Sequence, residues 1–162
     1  MREPNPYSAP DARVEDLPEP VDRRFRWKAV LIGAATDLAG STLAGIVLVV
    51  VFALLVAPGD GAVEAKVDRL AQSWPFLMAS MILGGGCTVL GGYVAGRIAR
   101  HSFLKHALAA GVLSLAVGIL FFRGDEGPYS GLMAFLGYGL HLPLALLGGW
   151  LVWRNQSHRQ ER

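Results

Sequence analysis

Asp37 is a carboxylate inside an apolar run that extends from Ala29 to Ala57. An ionisable side chain inside a membrane helix is costly and by default marks a functional site. Asp37 lies nine residues past Lys28, about 13–14 Å along a helix at 1.5 Å per residue. Thr88 lies nine residues before Arg97, and Ser114 nine residues after Lys105. Counted from the same basic edge, the three share one depth. His141 lies thirteen residues before Arg154, about 19–20 Å deep. A tilt or a one-turn boundary shift brings it level with Asp37.

An acid, an imidazole and two hydroxyls at one depth could form a titrating site. Asp37 would bind a proton or cation, and His141 would relay or sense it. Burial and ion pairing act on such groups in opposite senses, so the pair could titrate in a useful range. The plainer reading is a polar layer that fixes helix register, with a protonated Asp37 donating to a neighbouring oxygen. Interhelical bonds of that kind average only about 0.6 kcal/mol. We expect a binding or assembly component without catalytic activity. A small proton- or cation-coupled transporter, working as an oligomer through Asp37 and His141, is the alternative.

Other chemistries find no residues. Gly-x-Ser-x-Gly, His-Glu-x-x-His and Walker signatures are absent. Cys87 is the one cysteine, so no intrachain disulfide can form, and it reads as a small buried side chain. His101 and His106 are five apart with no cysteine or paired carboxylate beside them, so no metal site is expected. Gly84-Gly85-Gly86 sits at membrane depth and does not read as a phosphate cradle. No cofactor is expected, and no folded basic surface exists for nucleic acid.

Four long apolar runs must position the polar residues. Of the 162 residues 52% are apolar and 17% charged, against about 25% charged in soluble domains, and the charges lie outside the runs. Each run carries small residues every fourth position, which share one helix face. In the first the row is Ala29, Gly33, Asp37, Ser41 and Gly45; in the second, Ser80, Gly84, Thr88, Gly92 and Gly96. In the third it is Ala110, Ser114 and Gly118; in the fourth, Gly137, His141, Ala145 and Gly149. Small faces let helices approach closely in lipid, where packing replaces the drive supplied by water. The pattern predicts an all-α, four-helix transmembrane bundle over 27–154 with glycine-zipper-like packing. Helices are expected at about 28–57, 74–97, 104–122 and 131–153. Both Asp37 and His141 should point into the bundle, with a direct contact between them or one from Asp37 to Thr88.

The flanks are polar. Residues 1–26 hold five prolines and mixed charge and should be disordered. Arg23-Arg24 precedes an apolar run far longer than the roughly 7–15 residues of a signal peptide, so a retained anchor is expected. Residues 62–72 place Val63, Val67 and Leu70 on one face, as in an interfacial helix. Pro143 should kink the last helix, and 155–162 form a polar tail. Twelve of the fifteen Lys and Arg fall on the N-tail, second-loop and C-tail side, against Lys66, Arg69 and Arg123 on the other. The positive-inside rule then puts both termini in the cytoplasm. Arg97, Arg100 and Lys105 determine topology and could contact an anionic lipid headgroup. Leu90-Gly91-Gly92-Tyr93-Val94-Ala95-Gly96-Arg97 resembles Leu147-Gly148-Gly149-Trp150-Leu151-Val152-Trp153-Arg154. Two helices that end in an aromatic and an arginine at one interface account for the match.

Gly91-Gly92-Tyr93-Val94-Ala95-Gly96-Arg97-Ile98-Ala99, the basic turn and Leu108-Ala109-Ala110-Gly111 together resemble the centre of small bacterial four-helix inner-membrane proteins of unknown function. The likeness spans about a third of the chain. It implies a bacterial inner-membrane location and no established activity. The bilayer, and either a second copy or another membrane protein, are the partners expected. Small multidrug-resistance transporters are similar in architecture only: they carry a first-helix acid, but as Glu within a motif absent here.

Overall fold

The computed structural model describes residues 25–56, 68–121 and 130–160, the side chains of 56, 130, 132–134 and 158–160 excepted. Four helices run α1 Trp27–Val56, α2 Trp74–Ala99, α3 Phe103–Phe121 and α4 Ser130–Gln160. All four are long and apolar enough to cross a membrane. The chain is accordingly described as a multi-pass membrane protein. One helical turn over 68–71 precedes α2; the rest of the expected interfacial helix, and most of the N-tail, lie outside the described residues.

The interior is made of small and polar side chains. Ala29, Ala34, Ala95, Ala107, Ala110 and Ala145 are buried, whereas Leu54, Ile82, Leu120 and Phe121 are exposed. A soluble bundle would do the reverse. In a bilayer the exposed Leu, Ile and Phe side chains meet acyl chains, and the small faces bring the helix axes together.

α1 packs on α2 and α3, α4 also packs on α2 and α3, and α2 packs on α3. Among the described residues α1 and α4 make no backbone approach to each other. α2 and α3 therefore separate α1 from α4 over much of their length. They are joined by a tight turn in which Arg100 and Ser102 adopt positive φ of 63° and 49°. The carbonyl of Ser102 accepts from the Lys105 and His106 amides at 3.0 and 3.3 Å and so starts α3. We call this end of the bundle the basic end, after Arg97, Arg100 and Lys105.

Two glycine doublets explain how α2 and α4 each pack closely on two neighbours. Consecutive residues point about 100° apart on a helix. A Cβ at Gly91 would meet the Asp37 Cβ and the Gly33 carbonyl oxygen of α1, each at 2.8 Å. A Cβ at Gly92 would run into the Ala145 carbonyl of α4. On α4, a Cβ at Gly148 would run into the Val89 carbonyl and Gly92, while one at Gly149 would meet the Ala107 Cβ of α3 at 2.6 Å. The Leu-Gly-Gly likeness thus coincides with a structural meeting of the two doublets, which spacing by fours did not reveal. Each helix also carries an aromatic–arginine pair one turn apart: Arg97 Nη1 donates to Tyr93 Oη at 3.4 Å, and the Arg154 guanidinium lies 5.4 Å over the Trp150 ring.

The elements differ from expectation in two places. α4 continues to Gln160, through residues read as the start of a polar tail, because no Pro or Gly interrupts Arg154 to Gln160. Phe25 and Arg26, read as part of a disordered tail, are placed against α3. The Arg26 amide donates to His106 Nε2 at 3.0 Å, and the Phe25 ring stacks on the imidazole at 4.6 Å.

Candidate functional site

Asp37 sits where the first-helix row crosses the bundle centre. Its side chain is 6% exposed and that of His141 is 19% exposed. Thr88 of α2 and Ser114 of α3 are buried beside them. The four polar residues expected at one depth therefore lie together, one from each helix. Thr88 Oγ1 donates to Asp37 Oδ1 at 3.0 Å, and Ser41 Oγ donates to the same oxygen at 3.4 Å. His141 Nε2 lies 3.2 Å from Asp37 Oδ2 and 2.8 Å from Ser114 Oγ. The Asp37–His141 contact bridges the two helices whose backbones stay apart.

The partners set the His141 protonation when Asp37 is ionised. Ser114 has an acceptor of its own, the Gly111 carbonyl at 3.3 Å, so its hydroxyl proton has a place to go. Nε2 then faces a carboxylate oxygen that can only accept, and it carries a proton. Among the described residues Nδ1 has no protein partner, yet no buried side-chain nitrogen or oxygen there lacks one. Nδ1 is therefore accessible, and the ring lines a cavity. Both Ser114 and Asp37 use Nε2. A nucleophilic triad instead places the acid on one ring nitrogen and the serine on the other.

Thr88 has two acceptors within reach, Asp37 Oδ1 at 3.0 Å and the Gly84 carbonyl at 3.1 Å. With an ionised Asp37 its hydroxyl points at the carboxylate. With a protonated Asp37 it can receive the acid proton and donate to Gly84 instead. Rotation of one hydroxyl accommodates both states without leaving an unpaired polar atom, which matters because such atoms are costly at low dielectric.

The cavity has a volume of about 840 Å³, within the ~300–1,000 Å³ of small-molecule sites. Leu38 to Val50 of α1, Leu77 to Thr88 of α2, Ser114 to Gly118 of α3 and Leu136 to Leu144 of α4 supply its walls. It extends from the polar cluster away from the basic end. On the other side of Asp37 the space between Gly33, Gly91, Gly92, Gly111 and Ala145 has no room for a water molecule. The polar cluster is thus the floor of a cavity and the roof of a dry, close-packed layer.

This division corrects part of the expected packing rows. Gly33 approaches Ala95 and the Gly91 carbonyl; Gly92 and Gly149 are in close contact, and Gly96 is in ordinary contact with Val152, Phe103 and Gly149. Gly45, Gly84 and Gly137 are not at helix contacts: a Cβ at each would meet nothing within 4 Å. All three line the cavity, and Ser80 lines it too while donating to the Phe76 carbonyl at 2.8 Å. A glycine row signals a thin wall, and the spacing does not say whether a neighbour closes on it. Arg97, Arg100 and Lys105 are exposed at the basic end, away from the cluster.

Comparison with family models, with curated proteins and with solved structures finds no match. Among the described residues, no group of three or more His, Cys, Asp or Glu lies together as a metal site would require. His106 is the residue that sequence reasoning missed. It is 1% exposed, with Nε2 accepting from Arg26 and Nδ1 donating to the Ser102 carbonyl at 3.1 Å. Its partners are backbone groups and a ring, which leave no spacing signature.

Proposed function

We propose that the chain is a membrane-embedded binding component without catalytic activity, and that the cavity ending on Asp37 and His141 is its binding site. The observation that carries this reading is the cavity of about 840 Å³ whose floor holds the buried acid–imidazole contact of the bundle. A packing layer alone needs the contact but not the cavity. The close approaches at Gly33, Gly91, Gly92, Gly148 and Gly149 support glycine-zipper-like packing below it. The lysine and arginine distribution supports a basic end on the cytoplasmic side of a bacterial inner membrane, with both termini there. Arg97, Arg100 and Lys105 would then meet anionic headgroups, and a second copy or another membrane protein would cover an outer face.

Screening membrane-soluble compounds for thermal stabilisation of the full chain tests the reading. Gly84→Leu fills open space inside the cavity. Compounds that stabilise the native chain should lose that effect in Gly84→Leu. Equal stabilisation of both proteins would place binding elsewhere.

Coupled transport is a second reading, favoured by the contact of His141 with Asp37 at the cavity and by the two acceptors of Thr88. A proton could pass from the cavity to His141 and on to Asp37, whose far side is dry. Proteoliposomes holding a pH-sensitive dye should then show ligand-driven proton movement that Asp37→Asn abolishes. Ligand binding without proton movement would leave the binding reading alone standing.

A further inference from the structure

We propose that the cavity takes an uncharged, lipid-soluble molecule with a hydroxyl or carbonyl head on an apolar body, its head bonded to Nδ1 of His141. The inference rests on the binding reading above and names the class of ligand.

Three observations select the head. First, the carboxylate is already occupied: Oδ1 receives Thr88 and Ser41, and Oδ2 faces His141 Nε2. A cationic head would compete with His141, Thr88 and Ser41 for the carboxylate. Second, an anionic head would bring a second negative charge toward Asp37 at low dielectric, where repulsion is strong. Third, His141 lines the cavity, and its Nδ1 is accessible and has no partner among the described residues. A neutral head can engage it and break nothing. When the imidazole is neutral, Nδ1 accepts from a hydroxyl; when it is protonated, Nδ1–H donates to a carbonyl or hydroxyl oxygen. Either way the net charge of the site is unchanged on binding.

The body follows from the walls. Leu38, Ile46, Val49, Leu77, Leu115 and Leu144 line the cavity beyond the polar floor. From Asp37 to Val50 the α1 wall is thirteen residues long, about 20 Å. That length suits an extended chain or fused-ring body more than a compact polar metabolite. Of the polar side chains on the walls, Thr42 and Ser80 are bonded to carbonyls of their own helices, so the head goes to the floor and the body fills the space between the apolar residues.

A set of probes with one tail and different heads tests this. Tritiated dodecane, 1-dodecanol, 2-dodecanone, dodecanoate and dodecyltrimethylammonium are equilibrated with the full chain in nanodiscs, with protein-free nanodiscs subtracted. The inference expects dodecanol to bind at least tenfold tighter than dodecane and than either charged probe, with dodecanone matching it only in the protonated state of the imidazole. His141→Phe should lower each neutral-headed probe to the level of dodecane. If His141→Phe does not fold, the ranking on the native chain still decides. Tightest binding by dodecyltrimethylammonium would overturn the inference and leave the binding reading intact. Equal binding of all five would show an apolar cleft that reads no head, and would overturn it too. No protein-dependent binding of any probe, dodecane included, would overturn both.

Discussion

Gly92→Ala should destabilise the bundle far more than Gly84→Ala, although the residues lie two turns apart on one row of one helix. At Gly92 the added carbon would sit 2.9 Å from the Ala145 carbonyl carbon and 3.0 Å from its Cα, and closer still to the oxygen. Relaxed carbon contacts are about 3.5–4.0 Å. α2 and α4 must therefore part by roughly 0.5–1 Å, which forfeits about a quarter to a half of each neighbouring contact. The atoms are backbone, so no rotamer change relieves them. Overpacking costs about 1–3 kcal/mol, and this site belongs near the top of that range. At Gly84 nothing lies within 4 Å, and the same propensity gain from Gly to Ala applies to both variants. The difference between them should be about 2 kcal/mol or more, a factor of roughly 30 in the unfolding equilibrium. Unfolding in mixed micelles by detergent titration, followed by circular dichroism, measures it. Equal stability of the two variants, or a more stable Gly92→Ala, would refute the division into a packed layer and an open cavity.

Three further outcomes are expected. Thr88→Val removes the hydroxyl that donates to Asp37 Oδ1 and should cost about 1.5–3 kcal/mol, the range for bonds to charged groups; Thr88→Ser should restore most of it, and equal loss in both would implicate the methyl group. His106→Ala removes the acceptor of the Arg26 amide and the face on which Phe25 stacks, so limited proteolysis should cut near residues 23–26 severalfold faster, with unchanged cutting arguing against the pin. Reporter fusions at Gly61, His101, Glu126 and the C-terminus should give a cytoplasmic signal at His101 and at the C-terminus; a periplasmic signal at either would reverse the proposed orientation.

Much of the architecture was legible because bilayer thickness and hydropathy leave few options for an apolar run of about 20 residues or more. The starts of the first three helices and the end of α2 fall within two residues of expectation, and α4 runs past its expected end. There, polarity was taken for a helix stop, whereas polar residues after Trp153 keep a helix going once it leaves lipid. The depth count placed Asp37, Thr88 and Ser114 together, and His141 joined them because Gly92 packs on Ala145 and Gly96 on Gly149, which sets Arg154 about one turn beyond the level of Arg97. The doublets Gly91-Gly92 and Gly148-Gly149 were harder to read, since a search for fourfold spacing follows one face and these serve two. The cavity was not legible at all. A void is set by what neighbouring helices fail to supply, and Gly84 and Gly92 are identical in sequence terms while one faces space and the other a carbonyl.

The account centres on Asp37 and His141 forming one site at the cavity floor, and ¹⁵N NMR of the histidine rings in the full chain tests that most directly. His141 should carry its proton on Nε2, facing Asp37 and Ser114, while His106 should show the opposite tautomer, with Nδ1 protonated toward Ser102 and Nε2 accepting from Arg26. Asp37→Asn should shift both His141 nitrogens and leave His106 unmoved. A His141 signal indifferent to Asp37→Asn, or a His141 with no proton on Nε2, would contradict the account.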